Sequence, residues 1–196
     1  MVRIYSFDVF DTCVFRRCAV PTDVFVEVAR RIPHTSIGGN WEQDFVAARI
    51  TAEQRARAVG EEEVTISEIW QQLVQMVPGL NMEAGVALEM EVERECIRQN
   101  PAMLTRVNRR RSEGHRIVFT SDTSLPAEFI RERLAAYGFW QSGDGLYVSS
   151  ELRATKRTGA LFTRLLAQEG VRAREVCHVG DDPARDGRVP KRIGLR

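Results

Sequence analysis

The sequence predicts an α/β fold: a parallel sheet interrupted, after its first strand, by an all-helical insertion. The core takes residues 1–18 and 112–196, and the insertion takes 19–111. Three observations carry that prediction. The chain opens on an apolar run, Val2 to Phe7, which stops abruptly at Asp8, as a buried central strand does. From Gly114 onward the pattern reads strand, helix, strand, helix, strand, which implies right-handed crossovers and parallel pairing. Between Pro21 and Ser112 nothing reads as a strand. The opening strand cannot stand by itself, so it must join the later ones.

Taken in order, Thr22 or Asp23 is placed to cap a helix through Val24, Phe25, Val28 and Ala29, broken by Pro33 and Gly38-Gly39-Asn40. Trp41, Phe45, Ala48 and Ala52 recur at helical spacing, and Gly60 ends that element. Thr65 followed by Glu68 forms a capping box for a helix from Ile66 to Val77, closed by Pro78-Gly79. Asn81 caps a helix to about residue 99 with Val86, Met90 and Ile97 on one face. Asn100-Pro101 opens another to Ser112, and Arg109-Arg110-Arg111 suits the negative end of its dipole. Then come a strand at Arg116–Thr120, a helix at Pro126–Ala136 stopped by Gly138, and a strand at Leu146–Val148. A helix at Thr158–Gln168, with Leu161, Leu165 and Leu166 inward, stops at Gly170 and leads to the strand Glu175–Val179.

Composition narrows the function classes. A formal charge of +1 leaves no global field to recruit nucleic acid or an anionic membrane. No apolar run approaches a membrane span, and the first apolar run ends at Asp8 without a signal-peptide pattern, so the expected location is the cytoplasm. Cys13, Cys18, Cys96 and Cys177 show neither C-x-x-C pairing nor zinc spacing and are expected as reduced thiols. Of 28 basic residues only Lys156 and Lys191 are lysine, so a retained Lys invites a reason.

Polar residues stand at the ends of the strands: Asp8, Ser121, the segment leading to Lys156, and Asp181-Asp182 with Asp186. In a parallel sheet these ends share one edge, where open α/β folds place ligands. Two carboxylates brought together there repel unless a cation lies between them. Mg²⁺ is the expected one, because it takes hard oxygen ligands and leaves positions for water and phosphate. A lysine and a hydroxyl would hold phosphoryl oxygens, and a carboxylate can take a phosphoryl group as an acyl phosphate.

With those residues in view, the chain resembles the haloacid dehalogenase-like (HAD) hydrolase superfamily, whose Rossmann-like core carries a helical cap inserted after the first motif. Phe7-Asp8-Val9-Phe10-Asp11-Thr12 is similar to its strand followed by D-x-D-x-T or V, at Asp8 and Thr12. Ile117 to Ser121, Lys156, and Val179-Gly180-Asp181-Asp182-Pro183-Ala184-Arg185-Asp186 are similar to its second, third and fourth motifs. Phe7 to Arg16 also resembles a subgroup with an F-D-x-F-D-T-L-x-x-R opening. The resemblance implies Asp8 as nucleophile and Mg²⁺ ligand, with the Phe10 carbonyl and Asp181 as further ligands. Asp182 and Asp186 would support the metal site or orient Lys156. Ser121 and Lys156 would hold the phosphoryl group of a small phosphorylated substrate, with Asp122 beside them and Arg16 as a substrate clamp.

One departure matters. Phosphatases of this family carry a second Asp two residues after the nucleophile as general acid, and this chain has Phe10 there. Asp11 is one position along, and one step in an extended backbone reverses the side chain. The expectation is therefore a Mg²⁺-dependent phosphatase that is slow, or whose leaving group needs no proton, or a phosphotransferase with another acid from the cap; Asp11 reaches the site only if the turn is displaced. Two alternatives stand beside it: a non-catalytic or weakly active domain used for binding or regulation in a larger protein, and a metal-independent dehalogenase, whose relatives carry an aromatic residue at the Phe10 position. After Asp186 the sequence leaves no room for another helix and strand, so either the sheet is short at that edge or the sequence is a piece of a longer chain.

Overall fold

The computed structural model describes residues 3–34, 39–59 and 62–196; the expected breaks at Gly38 and Gly60 lie outside them. In chain order the first elements are β1 (Ile4–Asp8), β2 (Val14–Arg16), α1 (Asp23–Arg31), α2 (Trp41–Ala58), α3 (Ile66–Met76) and α4 (Met82–Cys96). There follow β3 (Ile97–Gln99), α5 (Pro101–Ser112), β4 (Arg116–Ser121), α6 (Ala127–Ala136) and β5 (Gly145–Val148). The chain continues through α7 (Ser149–Leu152), α8 (Ala160–Glu169), β6 (Val176–Val179) and α9 (Val189–Ile193). They divide into two compact units, Met1–Phe15 with Arg98–Arg196, and Arg16–Ile97. No helix among the described residues is long and apolar enough to cross a membrane.

The first unit is a four-stranded sheet in the order β5-β4-β1-β6, with every described pairing parallel. The α/β class is the one the strand–helix alternation predicts. β1 lies between β4 and β6, so its residues are buried from both sides, which is why the sequence writes it as an apolar run. Register places Asp8 beside Thr120 and Ser6 beside His178. Strand alternation therefore puts Ile4, Ser6, Asp8, Val118, Thr120 and His178 on one face. That face packs Ile4, Val118, Tyr147 and Val176 on Leu161, Phe162 and Leu165 of α8. Phe7 and Phe119 point the other way, where Phe119 meets Phe139 edge-on at 6.4 Å. The chain steps from β1 to β4 to β5 on one side and returns to place β6 on the other, so the reversal of strand order falls at β1/β6. Sheets of this kind open a crevice at such a reversal.

Several expectations are corrected here. β2 and β3 form a two-stranded sheet in segments that do not read as strands, because each has only 3 residues. The two compact units meet within them, at Phe15/Arg16 and Ile97/Arg98, beside the sequence-based bounds of 18 and 111. α5 therefore belongs with the α/β unit. Asn100 explains this: its N–H donates to Cys13 O at 2.9 Å and its side-chain amide donates to Thr12 O at 2.8 Å. Farther along, Arg111 donates to Asp144 and to Phe139 O, both at 2.7 Å. The segment after Asp186 does hold another helix: a π-helical turn at Pro183–Arg188 runs into α9. Beyond it Arg196 exchanges main-chain bonds of 3.0 Å with Val176 and His178, extending the pairing at β6.

The second unit contains α1 to α4. The capping box is present, with Thr65 Oγ1 accepting from Glu68 N at 3.2 Å and Glu68 accepting from Thr65 N at 2.7 Å. Asn81 caps α4 by accepting from Ala84 N at 2.8 Å. The face α4 buries is not the Val86–Met90 stripe but Gly85, Glu89, Val92 and Glu93. Arg49, only 2% exposed, donates twice to Glu89, at 3.0 and 2.7 Å, and Trp70 Nε1 donates to the same carboxylate at 2.8 Å. A buried ion pair thus takes positions that hydrophobic patterning assigns to solvent. Gly85 admits the Trp70 ring: a Cβ there would lie 2.0 Å from it.

Candidate active site

β1 delivers Asp8 to the carboxyl edge, 5% exposed. The chain then turns sharply, with Val14 N–H donating to Val9 O at 2.9 Å. Asp11 sits in that turn at φ +58°, a left-handed conformation that Asp tolerates better than most residues. Its side chain is exposed and it is absent from the acidic cluster, so the turn sends it outward and returns Thr12 inward. Thr12 Oγ1 lies 3.1 Å from Asp8 Oδ2 and 3.2 Å from Asp181 Oδ1, linking the first and last motifs. Phe10 is half-buried in the same turn.

Lys156 comes from the loop between α7 and α8. Its ammonium donates to Asp8 Oδ1 at 2.5 Å and to Asp186 Oδ1 at 2.7 Å, and all three side chains are buried. Asp122, expected with the substrate-binding groups, accepts from Lys156 N–H at 2.8 Å and so holds the lysine's backbone. Ser121, at the end of β4, is 1% exposed, and its Oγ has no hydrogen-bond partner among the described residues. A buried hydroxyl without a partner is uncommon and costs stability until something supplies one.

At the end of β6, Gly180 allows Asp186 to fold back against the main chain: a Cβ on Gly180 would meet Asp186 Cγ at 2.3 Å. Asp186 Oδ2 accepts from Asp182 N–H at 3.1 Å, and Oδ1 accepts from His178 Nε2 at 2.9 Å as well as from Lys156. Asp182 does not orient Lys156. Its carboxylate caps the π-helical turn, accepting from Ala184 N, Arg185 N and Arg185 Nε at 2.7–2.9 Å. Asp181 is exposed at the rim. Arg16, expected as a clamp, has its fork on Glu93 through two bonds of 2.9 Å.

Asp8, Asp181 and Asp186 each offer an oxygen within 4.8 Å of the others. Three carboxylates facing one ammonium leave two negative charges in excess when all are ionised. Burial raises the Asp8 pKa to about 7; Lys156 opposes this, while Asp186 and Asp181 add to it. Burial works against the Lys156 charge too, but Asp8 and Asp186 outweigh it and raise its pKa. For Asp186 burial is overridden by the His178 hydrogen bond and the Lys156 charge, which hold its carboxyl well below the usual range. The residues fit a small divalent cation: hard oxygen donors, surplus negative charge and a spacing that one ion can bridge. Sequence reasoning missed Ser6, Thr120 and His178; the signal was polar residues inside strands that are otherwise apolar.

No family model and no curated protein matches the sequence. Solved structures do. A predicted phosphoglycolate phosphatase from Haemophilus somnus 129PT superposes with a TM-score of 0.61 at 14% identity, covering 99% of this chain and 83% of that one. A 2-haloacid dehalogenase from Pseudomonas syringae pv. tomato DC3000 gives 0.66 at 17%, covering 100% and 85%. A HAD family enzyme from Bacteroides thetaiotaomicron, solved in complex with magnesium and inorganic phosphate, gives 0.65 at 10%, covering 100% and 92%. The chain has the HAD-like fold.

Proposed function

We propose that this HAD-like chain is a Mg²⁺-dependent phosphohydrolase, with Asp8 as the nucleophile toward a small phosphate ester. The observation that carries the reading is the convergence of Asp8, Lys156 and Asp181, with Asp8 bonded to the Lys156 ammonium and Thr12 Oγ1 lying between the Asp8 and Asp181 carboxylates. Asp8 and Asp181 would hold the cation, with the Phe10 carbonyl as a further ligand. When bound, the cation supplies charge neutralisation between the carboxylates and the phosphoryl oxygens. Asp8 attacks phosphorus, the bond to the leaving oxygen breaks with its electron pair, and an aspartyl-phosphate results. Water then cleaves the phosphorus–oxygen bond of that intermediate and restores the carboxylate. Lys156 holds Asp8 in position and offsets charge on the phosphoryl group, while Ser121 donates its hydroxyl to a phosphoryl oxygen.

Asp11 faces solvent and Phe10 has no acidic proton, so no carboxyl of the first motif is placed to protonate the leaving group. General acid help is typically worth about 10²–10⁴ in rate. The preferred substrates are then those whose leaving group departs as a stable anion, such as aryl or acyl phosphates. A dehalogenase needs no Asp181 beside its nucleophile, and the acidic rim argues against that role. The test is hydrolysis of an aryl phosphate with Mg²⁺, with EDTA, and by Asp8→Asn. Turnover that needs the cation and Asp8 is expected, and turnover unaffected by EDTA overturns the assignment.

A further inference from the structure

The β-sheet face beneath the site carries a row of buried polar groups that the reaction as drawn does not use. Ser6 Oγ lies 2.9 Å from His178 Nδ1, and Thr120 Oγ1 lies 3.4 Å from Ser6 Oγ. His178 Nε2 lies 2.9 Å from the Asp186 oxygen that also receives Lys156. Ser6 and Thr120 are fully buried, and the His178 side chain is fully enclosed, with Phe162 edge-on at 4.8 Å. Three hydroxyl or imidazole groups in a dry layer are costly unless each proton has a defined acceptor.

The donors and acceptors admit one consistent direction. Asp186, an ionised carboxylate, only accepts, so His178 must carry its proton on Nε2. Full burial disfavours the charged imidazole and lowers its pKa, so the ring is neutral, Nδ1 accepts, and the Ser6 hydroxyl must donate to it. With its proton so placed, Ser6 Oγ can only accept from Thr120. The row runs Thr120 to Ser6 to His178 to Asp186 and ends on the carboxylate that holds Lys156 against Asp8. Asp186 accepts on one oxygen from His178 and Lys156 and on the other from Asp182 N–H, so its oxygens face this network.

We propose that Ser6 and His178 are positioning residues: Ser6 fixes the His178 tautomer, His178 fixes Asp186, and Asp186 fixes the Lys156 ammonium on Asp8. This deepens the phosphohydrolase reading and rests on it for its kinetic consequence. β1 and β6 are adjacent and Ser6 and His178 are register partners, so the brace is built into the sheet itself. It sets the ammonium's position from below, independently of whatever the substrate contacts from above.

The test combines a spectroscopic and a kinetic readout on the full chain. Nitrogen and carbon NMR of the histidine ring should report the Nε2–H tautomer in the wild type, and a mixture in Ser6→Ala. His178→Phe should lower kcat on an aryl phosphate about 10- to 100-fold, the usual cost of removing an outer support, with KM nearly unchanged. His178→Gln, whose amide nitrogen reaches the Nε2 position, should recover most of that loss; a merely structural role would not be rescued in kcat alone. Should His178→Phe fail to fold, Ser6→Ala decides, with a smaller loss of kcat and the altered tautomer. An Nδ1–H tautomer in the wild type, or unchanged kcat in folded His178→Phe or in Ser6→Ala, overturns the proposal. Complete inactivity of the wild type on phosphate esters would instead overturn the phosphohydrolase reading, and the tautomer measurement would still decide the brace.

Discussion

Replacing Lys156 by methionine tests the charge arrangement most directly. The variant keeps an unbranched side chain of similar length but removes the ammonium that bonds Asp8 at 2.5 Å and Asp186 at 2.7 Å. The side chains of the three residues are 4%, 7% and 2% exposed, so water cannot take over. Breaking a buried pair by removing one partner costs about 3–5 kcal/mol, because the other charge stays buried and uncompensated. For a chain of this size each kcal/mol lowers Tm by about 2–4 °C, so a fall of about 6–20 °C is expected at pH 7.5 in EDTA. The deficit has a pH signature. Losing Lys156 removes the main force that lowers the Asp8 pKa, so the carboxyl rises further. A raised carboxyl contributes stability below its unfolded value and loses it as pH rises through the folded one, so the deficit should shrink toward pH 5. Mg²⁺ at saturating concentration should also recover part of it. Thermal and urea unfolding followed by circular dichroism read both effects. A variant as stable as wild type at pH 7.5 without cation would refute the account of an overcharged buried cluster.

Other outcomes follow from the same geometry. The raised Asp8 carboxyl, at about 7, must lose its proton to bind a cation, so affinity should fall as pH drops below about 7, with protons released on binding. Calorimetry in two buffers measures this, and a pH-independent affinity between 5 and 8 would contradict it. With Phe10 in place of the usual acid, rates should depend steeply on leaving-group acidity, aryl phosphates exceeding alkyl phosphates about 10²-fold or more; a flat series would reveal an acid placed elsewhere. In the helical unit, Gly85→Ala should cost about 1–3 kcal/mol, since its Cβ would meet the Trp70 ring at 2.0 Å. Unfolding followed by tryptophan fluorescence reports it, and an unchanged midpoint would mean that α3 and α4 separate freely.

What could be read from the sequence was set by the sheet. A parallel sheet gathers strand ends, so Asp8, Ser121 and Asp181 were identifiable once the strands were found, and Lys156 stood out in a chain that otherwise uses Arg. The buried ion pair of Arg49 and Glu89 was hidden, because hydrophobic periodicity treats any charge as solvent-facing while a pair 40 residues apart satisfies itself only in three dimensions. The pairing of Arg16 was hidden for the same reason: its partner, Glu93, lies 77 residues on. The reach of Asp11 depended on one left-handed residue, which no pattern of polarity encodes. His178 lies inside a strand where the sequence alone gives it no task; the register that sets it beside Ser6 does.

The central place of β1 bears on how the chain is built. The strand is synthesised before both its neighbours, which are made far later, at Arg116–Ser121 and Val176–Val179. Until those neighbours emerge a greasy segment must wait without a mate, while α1 to α4, which form a compact unit of their own, are already made. Such long-range pairing folds slowly and exposes the waiting strand to clumping with its kin. Ser6 and Asp8 interrupt the run with groups that remain content in water, so the residues that later serve the pocket also keep the nascent strand dissolved.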